Sequence, residues 1–236
     1  MGTSALSWSA GVGFRVLGCR ASAEKRREVR VCTHTTCRKS GSLQTLQALQ
    51  NLAPAAVSVE SCGCLGRCGS GPNLVLLPDQ LLVSYCNTPA HAARFLDVQC
   101  GASNPESNLA AFALAQKGDK AVDLGQLEQA YDHFTHAIEL NPSGGLHYIY
   151  AKRSAVLVAM DDPEAGLADA KMAAELHPDW PVAFVRQADA YTKMAQFDAA
   201  RHYLSLALGL DPSLRRSKSF QRKLLQVEKQ LLSVNA

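Results

Sequence analysis

The 236-residue sequence predicts an α+β protein in which a small N-terminal unit of strands and helices precedes an all-α solenoid. Three observations predict it. All eight cysteines, Cys19, Cys32, Cys37, Cys62, Cys64, Cys68, Cys86 and Cys100, lie within the first 100 residues. From Pro105 onward helical spacing takes over, and one motif returns with its closing prolines, Pro142, Pro178 and Pro212, 36 and 34 residues apart. Charge divides at similar places: 10 basic and 5 acidic residues over 1–100, 8 and 15 over 101–212, and 6 and 1 over 213–236. The resulting net charge of +3 is too small to imply a nucleic-acid binder. No apolar run approaches the roughly 18 residues of a membrane-spanning helix; the longest, Leu74 to Leu82 and Ala155 to Met160, are short and interrupted.

Residues 1–27 read as a transit peptide or a disordered start. Met1 to Ala10 lacks the compact apolar core of a secretory signal, so a secreted, disulfide-stapled domain is not expected. The stretch is rich in small residues and Ser, bears Arg15 and Arg20, and has no acid before Glu24, as in organelle transit peptides. Val16-Leu17-Gly18-Cys19-Arg20-Ala21 looks like the end of a chloroplast one, which implies the stroma, with the mitochondrion as alternative.

Residues 28–101 give the order βαββα. Glu28 to Cys32 alternates as a strand, and Leu43, Leu46, Leu49 and Leu52 share one face of a helix that Ser42 caps behind Gly41. Ala56 to Glu60 is a second strand. After a glycine-rich loop, Asn73 to Leu77 and Leu81 to Tyr85 form a hairpin about Pro78-Asp79-Gln80. Thr88 and Pro89 open a last helix that Gly101 closes.

Cysteine spacing carries the chemistry of this unit. Cys32-x4-Cys37 and Cys64-x3-Cys68 sit in two loops separated by a helix and a strand. A [2Fe-2S] cluster takes four thiolates, two on each iron, and two short loops that meet in space supply them readily. Gly63, Gly66, Gly69 and Gly71 let the backbone of the second loop approach the cluster sulfides. Structural zinc, a redox disulfide or thiol switch involving Cys62, and an empty site remain open alternatives. Cys86 and Cys100 read as small buried hydrophobes. His34 has no second histidine in either loop with which to build a Rieske-type site.

Cys32-x4-Cys37, then Cys64-Leu65-Gly66-Arg67-Cys68-Gly69-x-Gly71-Pro72-Asn73 and an apolar hairpin, resembles the thioredoxin-like [2Fe-2S] ferredoxins over about 70 residues. The resemblance implies a thioredoxin-like fold and a [2Fe-2S] cofactor held by Cys32, Cys37, Cys64 and Cys68. The spacing departs from plant-type ferredoxins, which set three cysteines in one loop.

In the second half, Ala130-x3-Phe134-x2-Ala137-x4-Pro142, Gly166-x3-Ala170-x2-Ala173-x4-Pro178 and Ala200-x3-Leu204-x2-Ala207-x4-Pro212 superpose. Gly118, Ser154 and Ala188 precede them by twelve residues, small side chains where paired helices cross. These features resemble the tetratricopeptide repeat, in three copies over 111–144, 147–180 and 181–214 within a region spanning 105–214. Such an array holds a peptide in its concave groove. Helical spacing sets Phe112, Val122, Tyr148, Val158, Val182, Val185 and Arg186 along that groove, which reads as mainly apolar and suited to an apolar peptide or amphipathic helix. The positions at which relatives clamp an acidic chaperone tail read Ala115, Asp119, Lys152, Val182 and Arg186 here. Only Arg186 matches, and Asp119 repels a carboxylate, so chaperone-tail binding is not expected.

Residues 215–236 form a basic capping helix, with Phe220, Leu224, Val227 and Leu231 on its inner face. Its basic side leaves peripheral membrane contact open. His133 and His136 share a helix face as exposed polar residues. The sequence supplies no Ser/His/Asp set, phosphate loop, paired-carboxylate site or nucleotide fingerprint, so no enzyme is expected. The leading expectation is a plastid [2Fe-2S] protein for one-electron transfer or redox sensing, docked by its repeats to a protein partner. The alternative is a repeat adaptor or assembly factor, for a photosynthetic or iron-sulfur complex, with a structural ferredoxin-like domain.

Overall fold

The computed structural model describes residues 27–54 and 56–234. The transit-peptide expectation, Cys19 included, lies outside them.

Four strands, β1 (Arg27–Cys32), β2 (Val57–Cys62), β3 (Leu74–Leu77) and β4 (Leu81–Val83), form one sheet in the order β2-β1-β3-β4. β1 pairs in parallel with β2, Cys32 opposite Cys62, and antiparallel with β3; β3 and β4 form the expected hairpin. Alternation along β1 and β3 sends Val29, Val31, Leu74 and Leu76 to one face, where all are essentially fully buried. Helices α2 (Ser42–Leu52) and α3 (Pro89–Cys100) cover that face with Leu49, Leu52, Ala92, Phe95 and Leu96. Thr88 caps α3 by accepting the His91 N–H at 3.2 Å, and Gly101 ends it with a φ of 70°.

Two details differ from the sequence reading. A short helix α1 (Thr35–Lys39) precedes α2, so the order is βααββα; five residues are too few to show a period. Gly41, not Ser42, occupies the cap position of α2, at a φ of 91°. Ser42 already lies in the helix, where its buried hydroxyl finds no partner.

Three helix pairs follow: α4 (Pro105–Asp123) with α5 (Leu127–Glu139), α6 (Leu146–Ala159) with α7 (Pro163–Leu176), and α8 (Pro181–Lys193) with α9 (Phe197–Leu210). α10 (Lys218–Val234) closes the array and buries Phe220 and Val227 against Leu204 and Ala207. The small residues act as expected at the crossings. A Cβ on Gly118 would sit 2.6 Å from the Phe134 ring, and Ser154 donates its hydroxyl to the Gly166 carbonyl at 2.6 Å. In the second pair, Arg153 clamps Asp169 through two bonds of 2.7 and 2.8 Å.

The sheet unit and the solenoid share a core. Phe112 of α4, 7% exposed, belongs to the same apolar cluster as Leu49, Leu52, Phe95 and Leu96. Gly144 and Gly145 press against the carbonyls of Leu52 and Asn51 so closely that neither position has room for a Cβ. Gly145 N–H donates to the Ala53 carbonyl at 3.2 Å. Asn108 ties the joint, donating to the Ser103 carbonyl at 3.0 Å and accepting the Ser143 N–H at 2.8 Å.

Candidate functional sites: a cysteine cradle and a helical groove

Parallel pairing of β1 and β2 makes both cysteine loops leave the sheet at the same end. Thr33 locks them, donating its N–H and its hydroxyl to the Cys62 carbonyl at 3.0 and 3.2 Å. Cys32 ends β1 and Cys37 lies in α1, both buried; Cys64 and Cys68 lie in the loop after β2, both exposed. Cys32 interacts electrostatically with the thiols of Cys37 and Cys64, and the Cys64 and Cys68 sulfurs are 3.4 Å apart. All four sulfurs thus lie at one end of the sheet, near enough to influence one another's titration.

The surroundings suit thiolates. Buried Asn73 directs its Nδ2 at Cys37 Sγ, 3.5 Å away, and at the Arg67 carbonyl, 2.7 Å away. Gly66 N–H donates to Cys64 Sγ at 3.4 Å. Burial pushes the Cys32 thiol up, but the His34 and Leu65 N–H groups and the Cys37 and Cys64 thiols outweigh it and bring Cys32 below its ordinary value. Burial, then the contact with Cys32, raises Cys37, while the hydrogen bond with Cys64 raises Cys68. Cys62, Cys86 and Cys100 are raised by burial, Cys86 to about 11.

The glycines divide by role. A Cβ on Gly71 would lie 3.0 Å from Cys37 Sγ, so close approach is required there. Gly66 is required by its φ of 81°. Gly63 and Gly69 meet no protein atom within 4 Å of such a Cβ. Two inner and two outer thiols with N–H donors beside them fit a binuclear iron-sulfur cluster. Among the described residues no group of three or more His, Cys, Asp or Glu side chains is placed to hold a metal ion.

The groove is the second site. A cavity of about 370 Å³ is lined by Asp119, Val122, Lys152, Ala155 and Arg186, among others. A neighbouring one of about 420 Å³ runs on past Ala155, Val158, Arg186 and Asp189 to Lys223 of α10. Val122, Val158 and Arg186 therefore line these cavities. Phe112 does not: helical spacing put it on the concave side, but the sheet unit covers that end and draws the ring into its own core. Tyr148, half-buried, lines the crevice beside Asn51 and packs edge-on to Trp180 at 4.5 Å. Val182 is half-buried, and Val185 packs toward the cluster shared by α9 and α10.

The groove cations are paired. Lys152 reaches Asp119 at 2.7 Å, Arg186 reaches Asp189 at 3.1 Å, and Lys223 meets Asp189 as well. Sequence reasoning did not include Lys223, because only the fold back of α10 brings it to the groove.

The tetratricopeptide repeat family matches residues 113–143 and 182–214. The C-terminal part is thus a repeat solenoid, with α6 and α7 stacked between the two matched stretches. The chain is 38% identical over 97 residues to a protein named STIP1 homolog from Dictyostelium discoideum, covering 41% of this chain and 17% of that one. It is 36% identical over 97 residues to the Hsp70-Hsp90 organizing protein of Triticum aestivum, covering 41% and 16%. The chain therefore spans under a fifth of either relative. The co-chaperone Cns1 of Saccharomyces cerevisiae has the same helical fold over 55% of this chain and 42% of its own, with a TM-score of 0.50 at 15% identity. Among the described residues no helix is long and apolar enough to cross a membrane.

Proposed function

We propose that the chain is a non-enzymatic adaptor whose repeat groove receives a protein segment, while the cysteine end of its sheet unit carries a [2Fe-2S] cluster. One observation carries the adaptor reading: the open groove across α4, α6, α8 and α10, with an apolar floor at Val122, Ala155 and Val158. The likeness to proteins named Hsp70-Hsp90 organizing protein supports it. An acidic chaperone tail is the ligand those names suggest, but here it would have to displace Asp119 from Lys152 and Asp189 from Arg186. The paired cations and apolar floor favour an apolar peptide or an amphipathic helix.

A photo-reactive residue at Val158 of the full chain is expected to crosslink a protein segment that the same residue at Met172, on the outer side of α7, does not. Equal crosslinking at both positions would remove the groove from consideration. An acidic peptide ending in a free carboxylate is expected to bind more weakly than millimolar; micromolar binding would restore the chaperone-tail reading.

The cluster reading is supported by the gathering of Cys32, Cys37, Cys64 and Cys68 at one end of the sheet and by the Asn73 and Gly66 donors. A bound [2Fe-2S] cluster would supply one-electron chemistry. Cys32 and Cys37 would hold its inner side, Cys64 and Cys68 its outer side, and the Gly66 N–H and Asn73 Nδ2 would temper the sulfur charge. The thioredoxin-like assignment of this unit rests on the resemblance of the cysteine loops and hairpin. Iron and acid-labile sulfide on anaerobically purified protein test the cofactor. Cys37→Ser and Cys68→Ser are expected to lose both, and Cys86→Ser to keep about two of each; equal iron in all three would refute the ligand set. A plastid location, with the mitochondrion as alternative, is tested by a fluorescent fusion of residues 1–27.

A further inference from the structure

The cysteine loops present cations that the groove's arrangement makes conspicuous by contrast. Between Thr33 and Val59, and again between Ser61 and Pro78, the sequence has no Asp or Glu. Those stretches instead carry Arg38, Lys39 and Arg67, all exposed. Lys152, Arg153, Arg186, Lys193 and Lys223 each meet a carboxylate. Among the described residues no ion pair involves Arg38, Lys39 or Arg67.

The segments that carry these three residues are joined at the cysteine end of the sheet. Arg38 and Lys39 directly follow Cys37, and Asn73 bridges Cys37 Sγ to the Arg67 carbonyl. Ser70 donates its N–H to that same carbonyl at 3.1 Å, and the Tyr85 N–H donates to Ser70 at 3.0 Å. Tyr85 stands beside the loop 61% exposed. The acidic groups of the sheet lie elsewhere: Glu28 pairs with Arg30 at 2.6 Å, Glu60 sits opposite Arg30 in the strand register, and Asp79 is in the hairpin turn at the other end of β3.

We propose that this face docks a protein with an acidic surface, whose carboxylates meet Arg38, Lys39 and Arg67 around the Cys64–Cys68 edge, with Tyr85 as the aromatic anchor. It rests on the cysteine end being the working end of the sheet unit. Unpaired surface cations steer an acidic partner, and Arg and Tyr are the residue types that dominate binding at interfaces. Three cations around an aromatic suit a protein better than a nucleic acid, which is held through many successive phosphates. They also fall short of the basic cluster that reads as lipid-binding.

The test uses the full chain after iron-sulfur reconstitution and, as probe, an acidic plant-type [2Fe-2S] ferredoxin, with affinity measured at 20 and 200 mM salt. Binding at 20 mM salt is expected to weaken at least tenfold at 200 mM. The triple variant Arg38→Glu, Lys39→Glu, Arg67→Glu should lose at least tenfold at 20 mM, Tyr85→Ala should lose severalfold, and Arg94→Glu, at an exposed position of α3, should stay within twofold. No binding at 20 mM, or equal affinity of wild type and triple variant, would overturn the proposal. So would tighter binding of single-stranded DNA or anionic vesicles than of ferredoxin. A changed cluster potential with unchanged affinity would also overturn it, since the cations would then only balance cluster charge. Iron content separates this outcome from the cluster reading: binding without iron would support the face and refute the cluster, and two irons without binding would do the reverse.

Discussion

Ala195 joins α8 to α9 with a φ of 58°, a left-handed conformation that costs a residue with a Cβ about 1–2 kcal/mol. The equivalent turns use Gly125 at 73° and Asp161 at 71°. Ala195→Gly removes the steric cost but returns freedom to the unfolded chain, so a net gain of about 0.5 kcal/mol is expected in denaturant titrations. His147 works in the opposite sense. It is buried among Tyr148, His177 and Trp180, and burial, then the His177 charge, pushes it down to about 3. A histidine depressed below its unfolded value of about 6.5 favours the fold above that pH and loses the benefit as pH falls toward 3. Between pH 6.5 and 5 the loss is expected to reach about 2 kcal/mol, and His147→Phe should flatten this part of the stability profile.

Among the elements, α10 has the clearest mechanical role. It covers α9 with Phe220 and Val227, each contributing roughly 1.5–3 kcal/mol of burial, and sends Lys223 to Asp189 in the groove. Removing residues 218–236 is expected to cost about 4 kcal/mol, to lower the melting temperature, and to leave Asp189 with Arg186 alone. That α10 is an amphipathic cap was legible in the spacing of Phe220, Leu224, Val227 and Leu231; its reach into the groove was not, because a period names a face and not what the face meets. The strands were legible from alternation at Val29 and Val31, and α3 from Thr88, Pro89 and Gly101. α1 was hidden by its brevity. Cysteine spacing picked out four sulfurs that lie at one end of the sheet, yet nothing local to Cys32 or Cys64 signals that one is buried and the other exposed. Phe112 shows the same limit: its period set it on the groove side, but it is covered by a segment some sixty residues earlier in the chain.

At the scale of the whole molecule the joint between sheet unit and solenoid decides behaviour. Gly145 has a φ of 74° and lies against the Asn51 carbonyl, so Gly145→Val is strained twice over. The variant is expected to open the joint, cost 3 kcal/mol or more, and expose the segment 101–105 to limited proteolysis, while the helical content of α5 to α9 persists. Unchanged proteolysis would mean that the joint tolerates the added bulk. The shared core also means that the chain has no clean place to be cut. A fragment ending at Gly101 would keep Phe95 and Leu96 but lose the ring of Phe112 that rests on them, and one beginning at Pro105 would carry that ring bare into water. Whatever loosens one half should therefore be felt as insolubility in the other, so each half acts as the other's folding partner.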